Sequence, residues 1–396
     1  MKKRVIYFGA IILSLIYLIV GNRIACTGIQ EFEHIYQDDC EMAKATGIIA
    51  RQSAAQEIEG VVFGRGVNII FAAELLTGEN KGSLITVIQN CDPDSPFQMR
   101  EITPGEHILV TLNPEANSTH WIMGEYVRTN TLLVLGIVFA VLLILFGRMK
   151  GFNTLLSLTF TCAAIFMVFI PAILSGKNIY FWAITTCGFI IVMTLLIVNG
   201  ADKKSLCAAA GCFGGVLLSG WLTLFSDKFL QLTGMVDEES LYLKYLLDGK
   251  TIDLKAIIFA GILIGAVGAI MDVAISLSSA LYEIKVSAPE STFASLTKSG
   301  ITIGRDMMGT MSNTLVLAYI GGSLSMTLLL IAYSNSTLAL LNREMIVVEI
   351  LQALVGSIGL LLTIPLTTVI CAFIYCIEKK QEQPAETETS EQNIVS

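Results

Sequence analysis

One acid stands in the middle of a long apolar stretch: Asp272, within Ala256–Leu281. It belongs to a stripe, Gly261, Gly265, Gly268, Asp272, Ser276, Ser279 and Glu283, with steps of 4, 3, 4, 4, 3 and 4 residues. Steps of three and four return to one face of a helix. A second stripe, Glu349, Gln352, Gly356, Gly359 and Thr363, advances by 3, 4, 3 and 4. Between them, the segment Gly304–Thr314 aligns Asp306, Thr310 and Asn313 if it is helical, with Arg305 alongside. A charge at bilayer depth costs a few kcal/mol or more and normally faces a cavity or a partner. A carboxylate so placed could carry a proton or hold a cation. The glycines have a plainer role. Gly261 and Gly265 form a GxxxG element, which lets another backbone come close, and Gly268, Gly356 and Gly359 suit helix packing in the same way.

Each polar residue also has a structural reading. Asp272 could simply bond to a neighbouring helix. Arg305 and Asp306 could mark a cytoplasmic helix start, where an acid suits the positive dipole end. Arg343, Glu344 and Glu349 could be a charge cluster snorkelling at the interface.

The elements that must position these residues are eight apolar runs: Val5–Val20, Thr131–Phe146, Leu155–Leu174, Ile179–Val198, Leu206–Phe225, Ala256–Leu281, Leu315–Tyr333 and Ile350–Ile374. Crossing a bilayer core takes roughly 20 apolar residues. The runs lack the short alternating texture of a transmembrane barrel, and 54% of the chain is hydrophobic. The expected fold is an all-α polytopic membrane bundle of about eight transmembrane helices, with a small extracytoplasmic β-rich domain after the first helix. The expected partition is an N-terminal anchor over 1–23, a β-rich domain over 24–128, a seven-helix membrane domain over 129–377 and a disordered cytoplasmic tail over 378–396.

Basic residues fall on one side of this arrangement: Lys2, Lys3, Arg4, Arg148, Lys150, Lys203, Lys204, Lys285, Lys298, Arg305, Lys379 and Lys380. The positive-inside rule makes that side the cytoplasm, so both termini of a cell-membrane protein lie there. Segment Ser226–Lys255 is the exception, with four lysines among six acids. The N-terminus has the basic residues and short apolar run of a secretory signal. Ala25-Cys26 loosely resembles a lipoprotein site, although Arg23 stands where an apolar residue belongs. An uncleaved anchor fits best.

Residues 24–128 are β-rich in texture. Val67–Leu76 and Ser83–Gln89 flank the turn Thr77–Gly82, and Pro104-Gly105 precedes a strand over Glu106–Leu112. Thr46–Arg51 and His120–Val127 are further strand candidates. A small barrel or sandwich is expected, and an OB-like barrel by itself names no ligand. All three histidines, His34, His107 and His120, lie here, without a zinc spacing near Cys40 or Cys91. A Cys40–Cys91 bridge is open on an oxidising side. No cofactor or metal is implied, and no basic-aromatic array suggests nucleic acid.

The blocks Gly268–Ala274 with Ser278–Glu283, Gly304-Arg305-Asp306 through Asn313-Thr314-Leu315, and Leu341–Glu344 through Glu349 and Gly356 resemble the YibE/F family of bacterial multi-pass membrane proteins. The resemblance covers roughly Thr131–Lys379. It implies a multi-pass helical protein whose biochemical role is not established, so it transfers no catalytic residue.

From the residues themselves the leading function is a gradient-driven permease or efflux-type transporter. Asp272 would couple to the ion, with Glu283, Arg305, Asp306 and Asn313 toward the cytoplasmic entrance and Glu349 at the outer one. Its Asp272 carboxylate should be shielded from lipid by the faces of spans six to eight turned toward one another. The alternative is a membrane scaffold or assembly partner whose outer domain binds an envelope protein. The partners are the bilayer and either an envelope protein or a second copy. An enzyme is disfavoured: no span contains His, and HExxH, P-loop and GxSxG motifs are missing.

Overall fold

A computed structural model describes residues 2–28, 40–53, 56–58, 61–63, 66–91, 100–112, 121–245, 252–333 and 336–377. His34, His120 and the tail 378–396 lie outside the described residues. The chain divides into two compact units, 32–142 and 1–31 with 143–396.

The first unit is built on a closed barrel of β1 (Glu41–Ser53), β4 (Val67–Leu75), β5 (Leu84–Cys91), β7 (Trp121–Tyr126) and β6 (His107–Leu112), in that order. β2 (Gln56–Ile58) and β3 (Val61–Phe63) form a separate hairpin. All barrel pairs are antiparallel except β5 with β7, and β6 closes onto β1. This is the five-stranded Greek-key order of an OB-type barrel. Alternation builds its core: Ile69, Phe71, Ala73 and Leu75 of β4 point inward against Val87, Ile108, Val110 and Trp121. The β4–β5 turn sits over Thr77–Gly82, where Gly78 and Gly82 have φ of 83° and 87°, a region that favours glycine. Gln89 is the buried polar residue: its Nε2 donates to the Arg100 carbonyl at 2.7 Å and its Oε1 accepts from the Ile102 amide at 2.9 Å.

Cys40 and Cys91 are both free thiols. Strand register explains why they do not pair. Ala43 lies opposite Leu75, whereas Cys91 lies opposite Val67 at the other end of β4. β4 lies between β1 and β5, which holds the two strands about 9–10 Å apart at two strand spacings, and a disulfide needs its Cα atoms within about 7 Å.

The second unit is helical. α1 (Lys2–Cys26) leads into it; α2 (Thr129–Gly147) is divided between the units at Leu142. There follow α3 (Met149–Ala163), a π-helical turn (Ala164–Phe169), α4 (Ile170–Leu174), α5 (Ile179–Thr194), a second π turn (Leu195–Asn199), α6 (Lys203–Leu230), α7 (Glu238–Tyr245), α8 (Leu254–Ser287), α9 (Phe293–Gly322), α10 (Leu324–Tyr333), α11 (Thr337–Leu341) and α12 (Glu344–Ile377). Among the described residues, seven helices are long and apolar enough to cross a membrane, or up to eight if the bent pair α9–α10 is one span. The first π turn precedes Pro171, which lacks an N–H and disturbs the ladder before it.

α1 is part of this unit. Its Leu18 and Ala25 are buried among Phe160, Val168 and Ile197, and the Tyr17 ring stacks on Phe189 at 4.0 Å. Ser175 donates to the Ala25 carbonyl at 2.5 Å, and the Lys177 ammonium donates to the Ile24 carbonyl. At the other end of α1, the Tyr7 hydroxyl donates to Asn153 at 2.9 Å.

Candidate functional site

The site rests on a seam between α6 and α12. Gly211 lies against Thr367, Gly215 against Thr363 and Gly359 against Ser219, each so closely that a Cβ on the glycine would overlap its neighbour. These contacts step by four residues on both helices and run antiparallel. The thiols of Cys207 and Cys371 meet at the next step. Small side chains let the two backbones approach, as they do in membrane bundles. Gly359 therefore serves packing. So does Gly356, buried against Leu315 and Ala266.

α8 packs on this seam through Phe259, Leu263, Ala266, Ile270, Ala274 and Leu277. Its stripe lies off that contact row, with Ser279 and Glu283 beside the start of α6. Gly261, Gly265, Gly268, Asp272, Ser276 and Glu283 are all exposed, and Ser279 is half-buried. The expected full shielding of Asp272 by the late helices is corrected: the residue is exposed within the chain. Periodicity put the stripe on one face, but the bulkier apolar face of α8 takes the contact with α6 and α12. Gly268 has open space around it, so it packs against nothing within this chain; Gly261 comes only to 3.7 Å from Gln352. Gly265 meets a real neighbour, the Tyr319 ring of α9, which also lies beside Gly356.

α9 runs antiparallel along α12, with Gly300 against Thr368 and Gly304 against Ile364. Arg305 and Asp306 are consequently 12 and 13 residues inside a 30-residue helix. They do not mark its cytoplasmic start. The polar segment before the apolar run is helical because its small residues seat against α12. The helix breaks after Gly321-Gly322, and α10 departs at 62°, a bend expected at a Gly/Ser cluster.

Asp272 and Arg305 share one depth. Ile270 touches Gly359, and Gly304 touches Ile364, which puts both charges within about one helical turn (~5 Å) along α12. Asp272 is 18 residues after Leu254 and 15 before Ser287, near the centre of a helix longer than a bilayer core of about 30 Å. Arg305, Asp306 and Asn313 are exposed as well. Among the described residues none pairs or hydrogen-bonds with the side chains of Asp272, Arg305, Asp306 or Asn313.

The ends of this face differ. At one end Glu283 accepts from Lys204 at 2.7 Å, and the same ammonium lies 4.3 Å from the centre of the Tyr282 ring. Lys150, Lys204 and Lys285 gather near this basic end. At the other end half-buried Glu349 lies beside Ser323 and Tyr319. The Tyr319 hydroxyl is buried without a hydrogen-bond partner. Glu344 holds a loop in place. Its carboxylate accepts from the amides of Thr233 and Gly234 and from the Thr233 hydroxyl at 2.6–2.7 Å. Among the described residues, no three His, Cys, Asp or Glu side chains converge as a metal site would require.

The seam and Tyr319 were not anticipated from sequence. Gly211 and Gly215, four apart and followed by Ser219, carried the same packing signal as Gly261 and Gly265.

A family model described as YibE/F-like protein matches residues 135–377, more than half of the chain. No curated protein and no solved structure matches.

Proposed function

The chain belongs to the YibE/F-like family, and we propose that it is a cell-membrane permease or efflux-type transporter driven by an ion gradient. One observation carries the reading: Asp272 and Arg305 lie at one depth on neighbouring helices, exposed and without partners. Bare charges in hydrocarbon are expensive, so this face is wetted or covered in the membrane. The path runs along α8 and α9 over Gly268, Asp272 and Asn313, with Glu349 at one mouth and Glu283 at the other. Its second wall comes from another copy of the chain. The gathered lysines support a cytoplasmic position for the basic end.

The same exposure favours a second reading, in which the stripe is a dry assembly face and the protein is a scaffold. Cysteines at Gly268, Ser276 and Asn313, placed singly in a cysteine-free protein in lipid vesicles, separate the two. A membrane-impermeant charged thiol reagent should modify all three, and should spare a cysteine at the apolar control Phe373. If all three stay unreactive, the permease reading fails and the scaffold reading stands.

A further inference from the structure

We infer that the basic end of the helical unit holds a binding site for a phosphoryl oxyanion, built at the N-terminus of α6. A cavity of about 210 Å³ lies there, lined by Lys150, Asn199, Asp202, Lys204, Ser205 and Ser279. Three independent features face it.

α6 is 28 residues long, and its N-cap residue, Asp202, makes no capping hydrogen bond with its side chain. The first-turn amides of Lys204 and Ser205 have no acceptor among the described residues. Such amides and the helix dipole favour an anion.

Ser205 is only 5% exposed, and its hydroxyl has no hydrogen-bond partner. Buried hydroxyls are rarely left so. An oxygen acceptor in the cavity would satisfy it together with the amides.

Lys150 has no ion pair among the described residues and reaches the cavity from α3, while Lys204 is held by Glu283 at 2.7 Å. With Glu283 counted beside Lys204, two lysines stand against two acids here, and the ammonium without an ion pair is that of Lys150. Asp202 has a polar contact of its own within the protein.

The cavity is smaller than the ~300–1,000 Å³ of drug-sized sites, which suits one phosphoryl group and not a nucleotide. Two sources share that chemistry, a lipid headgroup phosphate and free inorganic phosphate. Neither depends on the permease reading.

The test uses the full chain in detergent, with native mass spectrometry for lipid and calorimetry for phosphate. The lipid arm compares dioleoyl phosphatidic acid with dioleoylglycerol; the ion arm compares inorganic phosphate with chloride. At least one phosphoryl ligand should bind ten-fold more tightly than its control, and the responding arm names the source. Ser205→Ala and Lys150→Gln should each weaken that ligand at least five-fold. Lys150 is exposed, so its variant carries the test if Ser205→Ala unfolds. Binding no tighter than the controls in both arms, or wild-type affinity in any folded variant, overturns the site.

Discussion

Gly215 of α6 and Thr363 of α12 face each other with no room for a Cβ between them. The Thr363 hydroxyl is the group nearest that space, and it donates to the Gly359 carbonyl of its own helix at 2.7 Å. Gly215→Val should therefore force the helices apart and lower stability by about 1–3 kcal/mol or more. Gly268→Ala, in open space on the other face of the bundle, should stay within about 0.5 kcal/mol. Thermal unfolding in detergent compares them; equal midpoints would contradict the seam.

Asp272 has no partner within the chain to lose. Asp272→Asn should leave the unfolding midpoint of the monomer within about 0.5 kcal/mol of wild type while abolishing any ion-coupled flux. A clear fall in monomer stability would mean that its carboxylate locks the fold.

Glu344 gathers three donors from Thr233 and Gly234. Hydrogen bonds to a charged group are worth about 1.5–3 kcal/mol each when one partner is removed. Glu344→Ala should destabilise the α6–α7 loop, read as faster proteolysis near residue 233. Glu344→Gln should recover part of the loss, because its amide oxygen still accepts.

In the barrel unit the Thr103 amide above all, with the Thr103 hydroxyl and the Arg100 guanidinium, holds the Glu106 carboxyl below the usual range, against the opposing effect of burial. A depressed carboxyl stabilises the fold above its unfolded pKa of about 4.3, and that contribution disappears as pH falls through the lower folded value. Acid unfolding of the full chain, followed by Trp121 fluorescence, should begin at higher pH in Arg100→Gln. An unchanged acid limb would mean that Glu106 contributes nothing to acid stability.

Cys40 is exposed, whereas burial, and then the charge of Glu101, push the Cys91 thiol up. At pH 7.5 a maleimide should therefore label Cys40 first. Gel mobility should be the same with and without reductant, and a reductant-dependent shift lost in Cys91→Ser would reveal a bridge.

Sequence periodicity located the Asp272 stripe as one face, and the Gly-rich turn located the β4–β5 hairpin. Direction was another matter. Spacing gives the angle between residues around a helix, but the side that packs depends on which neighbour fits better. For α8 the row from Phe259 to Leu277 won that contact. Arg305 was misplaced in depth because Phe293–Thr314 is too polar to read as membrane helix alone; the segment is seated on α12 through Gly300 and Gly304. The α6 seam hid inside an apolar run, since Cys207, Gly211, Gly215 and Ser219 carry no charge to mark a face.

Helices that interlock at four successive steps cannot slide or roll without collision. α6 and α12 therefore behave as a single stiff beam. Any working motion of this molecule must swing other parts about that beam, and the Gly321-Gly322 corner, with both glycines free of neighbours, is where the chain can flex at least expense.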